Sequence, residues 1–255
     1  MPGMFKYAIT RIPVESFDRG ITTANLGAPS YERALRQHRA YGEALKSIGL
    51  TLIALDPLPD YPDAHFVEDT AVVAPEVAII TNPGAKSRQG EEKSIACILE
   101  QHRRIERIKA PGTLDGGDVL MIGNHFLIGI SERTNQQGAE QLGRILSDYG
   151  KTHTTIAVGA GLHLKSSINY VGWNTVLTTP DFERHEALDR YDAITTDLNE
   201  SYAANTLWVN DHLLFPGGFP QTKAKLKDLG LPIIELDVSE MRKMDGGLTC
   251  LSLRF

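Results

Sequence analysis

The chain has 255 residues, 42% of them hydrophobic and 23% charged, with a formal net charge of −6. That acidic balance excludes a nucleic-acid binder working by phosphate neutralisation, and no apolar run is long enough to span a bilayer. Two cysteines make no disulfide framework and the start, MPGMFKYAITRIP, lacks signal-peptide features, so a cytoplasmic protein is expected, folded as one domain over residues 1–255 because no linker divides it.

In chain order, the first amphipathic helix is predicted over Tyr31–Ile48. Tyr31, Ala34, Leu35, His38, Tyr41, Leu45 and Ile48 share one face, and Gly49 acts as the stop. TAVVAPEVAIITNPG predicts a hairpin turning at Pro75-Glu76, with a weaker helix over Glu91–Gln101. DVLMIGNHFLIGISERTN turns at Gly123-Asn124, where both residues tolerate positive φ. Thr134-Asn135-Gln136-Gln137 reads as a capping box opening a helix with Ala139, Leu142, Ile145, Leu146 and Tyr149 inward. Further hairpins turn near Gly172 and at Asn210-Asp211, and a last weak helix covers Gln221–Leu229. The recurring spacing reads as a repeated unit of hairpin and helix. Two architectures fit it: an α/β sandwich, or a ring of ββαβ units around a central site.

The side chains that could carry chemistry are few. Cys250, in MDGGLTCLSLRF, is either a buried thiol in a strand or a nucleophile presented after Gly246-Gly247. A nucleophile needs a base. His38 lies on a helix face, His102, His153 and His185 in polar stretches, and His125 and His212 beside turns. His163, between small residues in GAGLHLKSS, is the best partner; the same stretch lacks the third glycine and the helix of a dinucleotide loop. PDAHFVEDTAVV runs Asp63, Glu68 and Asp69 into a hydrophobic strand, which is costly unless the acids are exposed, paired or functional. Asp115 and Asp118 flank a Gly pair in TLDGGDVL, a pattern that suits a turn and a functional acid equally. With no HExxH, CxxC or EF-hand spacing, an acidic pocket here is expected to hold an organic cation and no metal. Arg88 and Arg133 leave two of the repeats, and their guanidinium forks suit a carboxylate. Acids at one end and arginines at the other would hold a zwitterionic amino acid with a cationic tail.

Taken in order, PD-x-x-FVED, TNPGAKSR, TLDGGD, ISERTNQ-x-GAE, GLHLKS, SYAAN and DGGLTC resemble the dimethylarginine dimethylaminohydrolase family, from the N-terminal MFK to the final SLRF. The resemblance implies a pentein fold, α/β in class, a five-bladed pseudo-symmetric ββαβ propeller around a central active site. It implies Cys250 as nucleophile, His163 as acid and base, and Asp115, a position that is Glu in some members, as the acid partnered with that histidine. Asp69, helped by Glu68, would grip the guanidinium, and Arg88 and Arg133 the substrate carboxylate. Asp63 and the backbone of Ile21, where leucine is common, would lie near the α-amino group, and Met244 would make a backbone contact ahead of the nucleophile. ESFDRGITTANLG would be a lid. The implied reaction is hydrolysis of N-omega-methylated arginines to citrulline and dimethylamine or methylamine. It would pass through an S-alkylthiouronium on Cys250, with a small-molecule substrate, no metal or organic cofactor, no nucleic acid or membrane partner, and a homodimer by analogy. Two alternatives stand beside it. One is a deiminase-type hydrolase acting on free arginine, although those generally carry a helical insertion absent here. The other is a non-catalytic pentein that binds arginine-like ligands, against which the intact Cys250, His163 and Asp115 argue.

Overall fold

The computed structural model of the protein describes residues 5–159 and 163–255, so part of the GAGLHL stretch lies outside the described residues. Four sheets follow one plan: an antiparallel hairpin, then a crossover to a third strand parallel to the second. They are β3 (Ala71–Val73), β4 (Val77–Ile80) and β5 (Arg104–Arg107); β6 (Val119–Ile122), β7 (His125–Ile130) and β8 (Thr152–Ala157); β9 (Ile168–Gly172), β10 (Thr175–Thr178) and β11 (Asp192–Thr195); and β12 (Leu207–Val209), β13 (His212–Pro216) and β14 (Ile233–Leu236). The crossovers carry α2 (Glu92–Leu99), α3 (Gln136–Asp148) and α4 (Pro220–Lys227), respectively, in all but the β10–β11 connection. There the stretch offers only Phe182 and Leu188 as buried apolar anchors, six positions apart, and forms two short 3-10 turns in place of a helix.

The fifth sheet joins the two ends of the chain. β1 (Tyr7–Arg11) runs parallel to β2 (Thr51–Leu55) across α1 (Tyr31–Ser47) and antiparallel to β15 (Leu253–Arg254), with Ala8 opposite Arg254. Its hairpin has no local turn, which is why the hairpin signals in the sequence number four. The result is the five-bladed ββαβ ring, and the sandwich alternative falls. Apolar packing lies between sheets and helices. One cluster joins Val77 and Ile79 of β4, Val119 of β6, Phe126 and Ile128 of β7 and Ala139, Leu142 and Leu146 of α3.

Local details refine the expected elements. Trp173-Asn174 and Asn210-Asp211 both have left-handed φ at each turn residue, as a type I′ hairpin requires; at Gly123-Asn124 only Gly123 does, at +60°. The N-cap of α3 is Asn135, whose side chain accepts from Gly138 N–H at 2.8 Å, and not Thr134. The Thr134 hydroxyl is committed elsewhere: it donates to Asp118 at 2.7 Å and accepts from Asp115 N–H at 3.1 Å. A capping box demands a free hydroxyl, and a buried carboxylate takes this one.

Besides His163, two histidines are buried in this frame. His38 faces inward from α1, and His65, which sequence reasoning passed over, lies between Phe17 and Phe66. Burial pushes their pKa values down to about 4 and about 3. The unfolded chain therefore binds more protons than the folded one at any pH between those values and about 6.5, and stability from the neutral rings is full above 6.5 and lost as pH falls below it. Replacing His65 by Leu should shift the stability difference between variant and parent in favour of the variant by roughly 2 kcal/mol between pH 7 and pH 5. Chemical unfolding of both proteins at the two pH values checks this; parallel pH dependence would contradict it.

Candidate active site

Five segments enter the centre of the ring at the same place in the plan, each immediately before the inner strand of a sheet. Residues 63–70 precede β3, 115–118 precede β6, 163–166 precede β9, 198–205 precede β12 and 244–250 precede β15. Four of them close as 3-10 turns: Val67–Thr70, Gly116–Asp118, Leu164–Ser166 and Leu198–Ala204. The repeat thus delivers residues far apart in sequence to one cavity, lined among others by Asp69, His163, Met244 and Cys250. A second cavity, opening elsewhere, shares Glu68, Lys165 and Thr249 with it.

The two Gly pairs are there for close approach, not for turn φ. A Cβ on Gly116 would lie 2.0 Å from the Glu68 carbonyl oxygen, and one on Gly117 would lie 2.8 Å from both Asp69 Oδ1 and the His163 ring. Gly246 lies against the Phe66 ring and Gly247 against the Asn205 side chain, with a Cβ placed 2.2 and 2.3 Å away. The left-handed residue of the MDGG stretch is Asp245, at φ +57°. Cys250 belongs to the turn that follows, its N–H donating to Gly247 O at 3.2 Å, and not to a strand as its alternating surroundings suggest.

His163 Nε2 lies 3.1 Å from Asp115 Oδ2 and 3.8 Å from Asp69 Oδ1. Asp115 is fully buried; its Oδ1 accepts from Gly84 N–H at 2.9 Å, and Arg133 Nη1 stands 3.7 Å from its Oδ2. Asp118 fixes the backbone beside the imidazole: Oδ1 accepts from Leu164 N–H at 2.9 Å, and Oδ2 from Ser131 and Thr134 hydroxyls. Asp69 Oδ1 accepts from Gly117 N–H at 2.8 Å, and Oδ2 takes Arg88 Nη1 at 2.5 Å. Glu68 Oε1 is clamped by Lys165 Nζ at 2.7 Å and Arg254 Nη2 at 3.2 Å, while its buried Oε2 has no partner among the described residues. Asp63 accepts from Ile21 N–H with both oxygens, at 3.1 Å each.

Arg88 is not held apart from the acids. Besides Asp69, its Nε and Nη2 bind Glu91, and Nη2 reaches the carbonyl of Phe66, so the guanidinium is buried and almost saturated. Arg133 makes only the longer approach to Asp115 and is the freer cation. Sequence reasoning missed Glu91, Lys165 and Asn205, although the last two lie inside quoted motifs. Asn205 ties the third and fourth approaches to the turn that carries Cys250, donating to Lys165 O and accepting from Thr249 N–H.

The electrostatics follow from burial opposed by partners. Burial alone would lower the His163 pKa, but Asp69 and the Asp115 hydrogen bond outweigh it and raise it to about 9. Burial would raise Asp69, yet His163, Arg88 and the Gly117 N–H hold it below the usual carboxylate range. Burial pushes the Cys250 thiol up to about 12, reinforced by Glu68 and Asp69. At neutral pH the resting site pairs an imidazolium with a neutral thiol. Ligand atoms of Asp69, Asp115 and His163 lie within 4.8 Å of one another, but these oxygens are engaged by a guanidinium, an imidazole and backbone N–H groups, which makes the cluster an ion-pair network.

Residues 27–214 match the family described as arginine deiminase. A dimethylarginine dimethylaminohydrolase from Pseudomonas aeruginosa is 42% identical over 99% of this chain and all of its own length. One from Streptomyces coelicolor is 34% identical over 99% of this chain and 93% of its own. The Pseudomonas enzyme solved in complex with citrulline superposes with a TM-score of 0.97, at 41% identity, over 99% of this chain and all of that one. A match of this depth along the whole chain, on a fold of the same five blades, makes this protein a member of the dimethylarginine dimethylaminohydrolase family within the wider arginine deiminase group.

Proposed function

We propose that this protein hydrolyses N-omega-methylated arginines to citrulline and dimethylamine or methylamine, with Cys250 as the nucleophile. The observation that carries the reading is the meeting of Cys250, His163 and Asp69 in one cavity, with the buried Asp115 on His163 behind it, in a chain whose full-length relatives bear that activity in their names. A guanidinium carbon is a poor electrophile because its charge is delocalised, so a catalyst must fix the cation and hold a sulfur at attack distance. Asp69 and the unpaired Oε2 of Glu68 offer the anionic grip. A bound guanidinium beside Cys250 lowers the thiol pKa from its raised resting value, so the substrate itself favours the thiolate.

As the substrate binds, the thiol releases its proton to solvent, and the thiolate adds to the guanidinium carbon. His163, protonated at neutral pH, gives its proton to the departing amine as the C–N bond breaks, leaving an S-alkylthiouronium on Cys250. The neutral imidazole takes a proton from water, which adds to the same carbon. Collapse breaks the C–S bond, frees citrulline and restores the thiol and the imidazolium. Asp115 holds the imidazole ring in place and supports its charge. Arg133 and Arg88 serve the α-carboxylate; Asp63 and the backbone of Ile21 serve the α-amino end, and Met244 makes a backbone contact ahead of the nucleophile. The scheme uses no metal or organic cofactor. It treats residues 1–255 as one catalytic domain, places the protein in a reducing cytoplasm with its two free cysteines, and takes a homodimer from the family resemblance.

Citrulline release tests this directly, with asymmetric dimethylarginine, monomethylarginine and arginine supplied separately. We expect turnover of the methylated substrates, reduced ~10³-fold or more in Cys250→Ser. Faster turnover of free arginine would move the protein to the deiminase class, and silence on all three would leave a binding protein.

The second test follows the proton. Departure of the amine needs His163 protonated, so kcat falls on the alkaline side as the ring loses its proton. Asp115 raises the His163 pKa, and Asp115→Asn should therefore move that alkaline limb to lower pH. A limb that stays in place would remove Asp115 from the assigned role.

A further inference from the structure

The segment after Gly20 is fastened to the nucleophile's side of the site by a carboxylate that the proposed chemistry does not use. Asp245 Oδ2 accepts from Thr23 N–H at 2.5 Å, Thr23 Oγ1 at 3.0 Å and Thr22 Oγ1 at 3.2 Å, across more than two hundred residues of sequence. Thr22 Oγ1 also donates to Lys243 O at 3.0 Å, and Lys243 Nζ reaches Ala28 O at 3.2 Å. On the other side, Ile21 N–H is fixed by Asp63. Thr22 and Thr23 are exposed, so these bonds and not burial hold the two side chains in place.

Asp245 is also strained. Its φ of +57° is left-handed, a region that glycine enters freely and that Asp enters at some cost. Glycine occupies the next two positions, and Asp245 lies five residues ahead of Cys250. The backbone here holds close: Asp245 N–H donates to Arg242 O and Gly246 N–H to Met241 O, at 3.2 and 3.0 Å. Glycine would adopt this φ freely; Asp adopts it and adds the carboxylate that Thr22 and Thr23 use.

We propose that Asp245 is a positioning residue: its carboxylate latches the 20–28 segment over the cavity and couples that closure to the turn that carries Cys250. The inference rests on the proposed hydrolase reading for its kinetic consequence, but not for the latch itself. Closure on the substrate excludes water and brings Ile21 to its end of the cavity, so loss of the latch weakens substrate retention before it weakens chemistry.

The test combines amide hydrogen exchange with kinetics in three variants of the full chain. Asp245→Gly keeps the φ without strain and deletes the latch. Thr22→Val with Thr23→Val deletes the hydroxyl donors without touching the nucleophile's turn. Asp245→Asn tolerates the φ, retains one acceptor and should restore part of the effect. We expect exchange in residues 20–28 to quicken about ten-fold or more in the Gly variant and less in the Thr pair and in Asn, with strand amides unchanged. KM for asymmetric dimethylarginine should rise in the same order, with kcat falling less. Unchanged exchange in 20–28, a rise spread over the whole chain, or a loosened segment with unaltered KM would each overturn the proposal. A raised KM in the Asp245 variants alone, with the Thr pair normal, would also overturn it, because Asp245 would then be touching substrate. If the parent protein hydrolyses no guanidine, the hydrolase reading fails while the exchange arm still decides the latch.

Discussion

The contact on which the site depends is the buried carboxylate of Asp69. One oxygen accepts from Gly117 N–H and stands 3.8 Å from the His163 imidazole; the other takes the Arg88 guanidinium. A carboxylate in that position would not stay ionised without those three partners, because burial opposes the charge. Once ionised, it raises His163 and helps to raise Cys250. The site therefore rests with a proton on sulfur and on the imidazole. Gly117 has no side chain because the Asp69 carboxylate and the His163 ring occupy that space, and Gly116 has none because the Glu68 carbonyl does.

The ring makes this contact possible. Each blade brings its inner strand in through a short turn, and the acids, the imidazole and the thiol sit on those turns at equivalent positions. No two of the groups need to be near in sequence. The cost is that several charges share a small volume, and the structure meets it by pairing: Arg88 with Asp69 and Glu91, Lys165 and Arg254 with Glu68, Arg133 near Asp115. Among the described residues, one buried oxygen of Glu68 keeps no partner.

Much of this was legible in the sequence, and the rest was hidden for identifiable reasons. Four hairpins were readable from local turn chemistry, while the fifth was not, because β1 and β15 come from opposite ends of the chain. The β10–β11 connection lacks a helix because its apolar anchors are too few. Cys250, His163, Asp115 and Asp69 stood out because reactive or acidic residues beside small ones are unusual, and the structure brings them together. Glu91, Lys165 and His65 did not, since a lone charged or aromatic residue in a polar stretch carries no spacing signal. The Asp245 latch could not be read at all, because its partners are more than two hundred positions away.

The central claim is that a covalent bond forms between Cys250 and the guanidinium carbon. Acid quenching of the protein during turnover of asymmetric dimethylarginine, followed by mass analysis of the Cys250 peptide, tests it most directly. The account predicts a transient adduct on Cys250 that retains the amino-acid portion of the substrate, has lost dimethylamine, and is absent in Cys250→Ser. Sustained citrulline release by the serine variant, or an adduct on another residue, would contradict it.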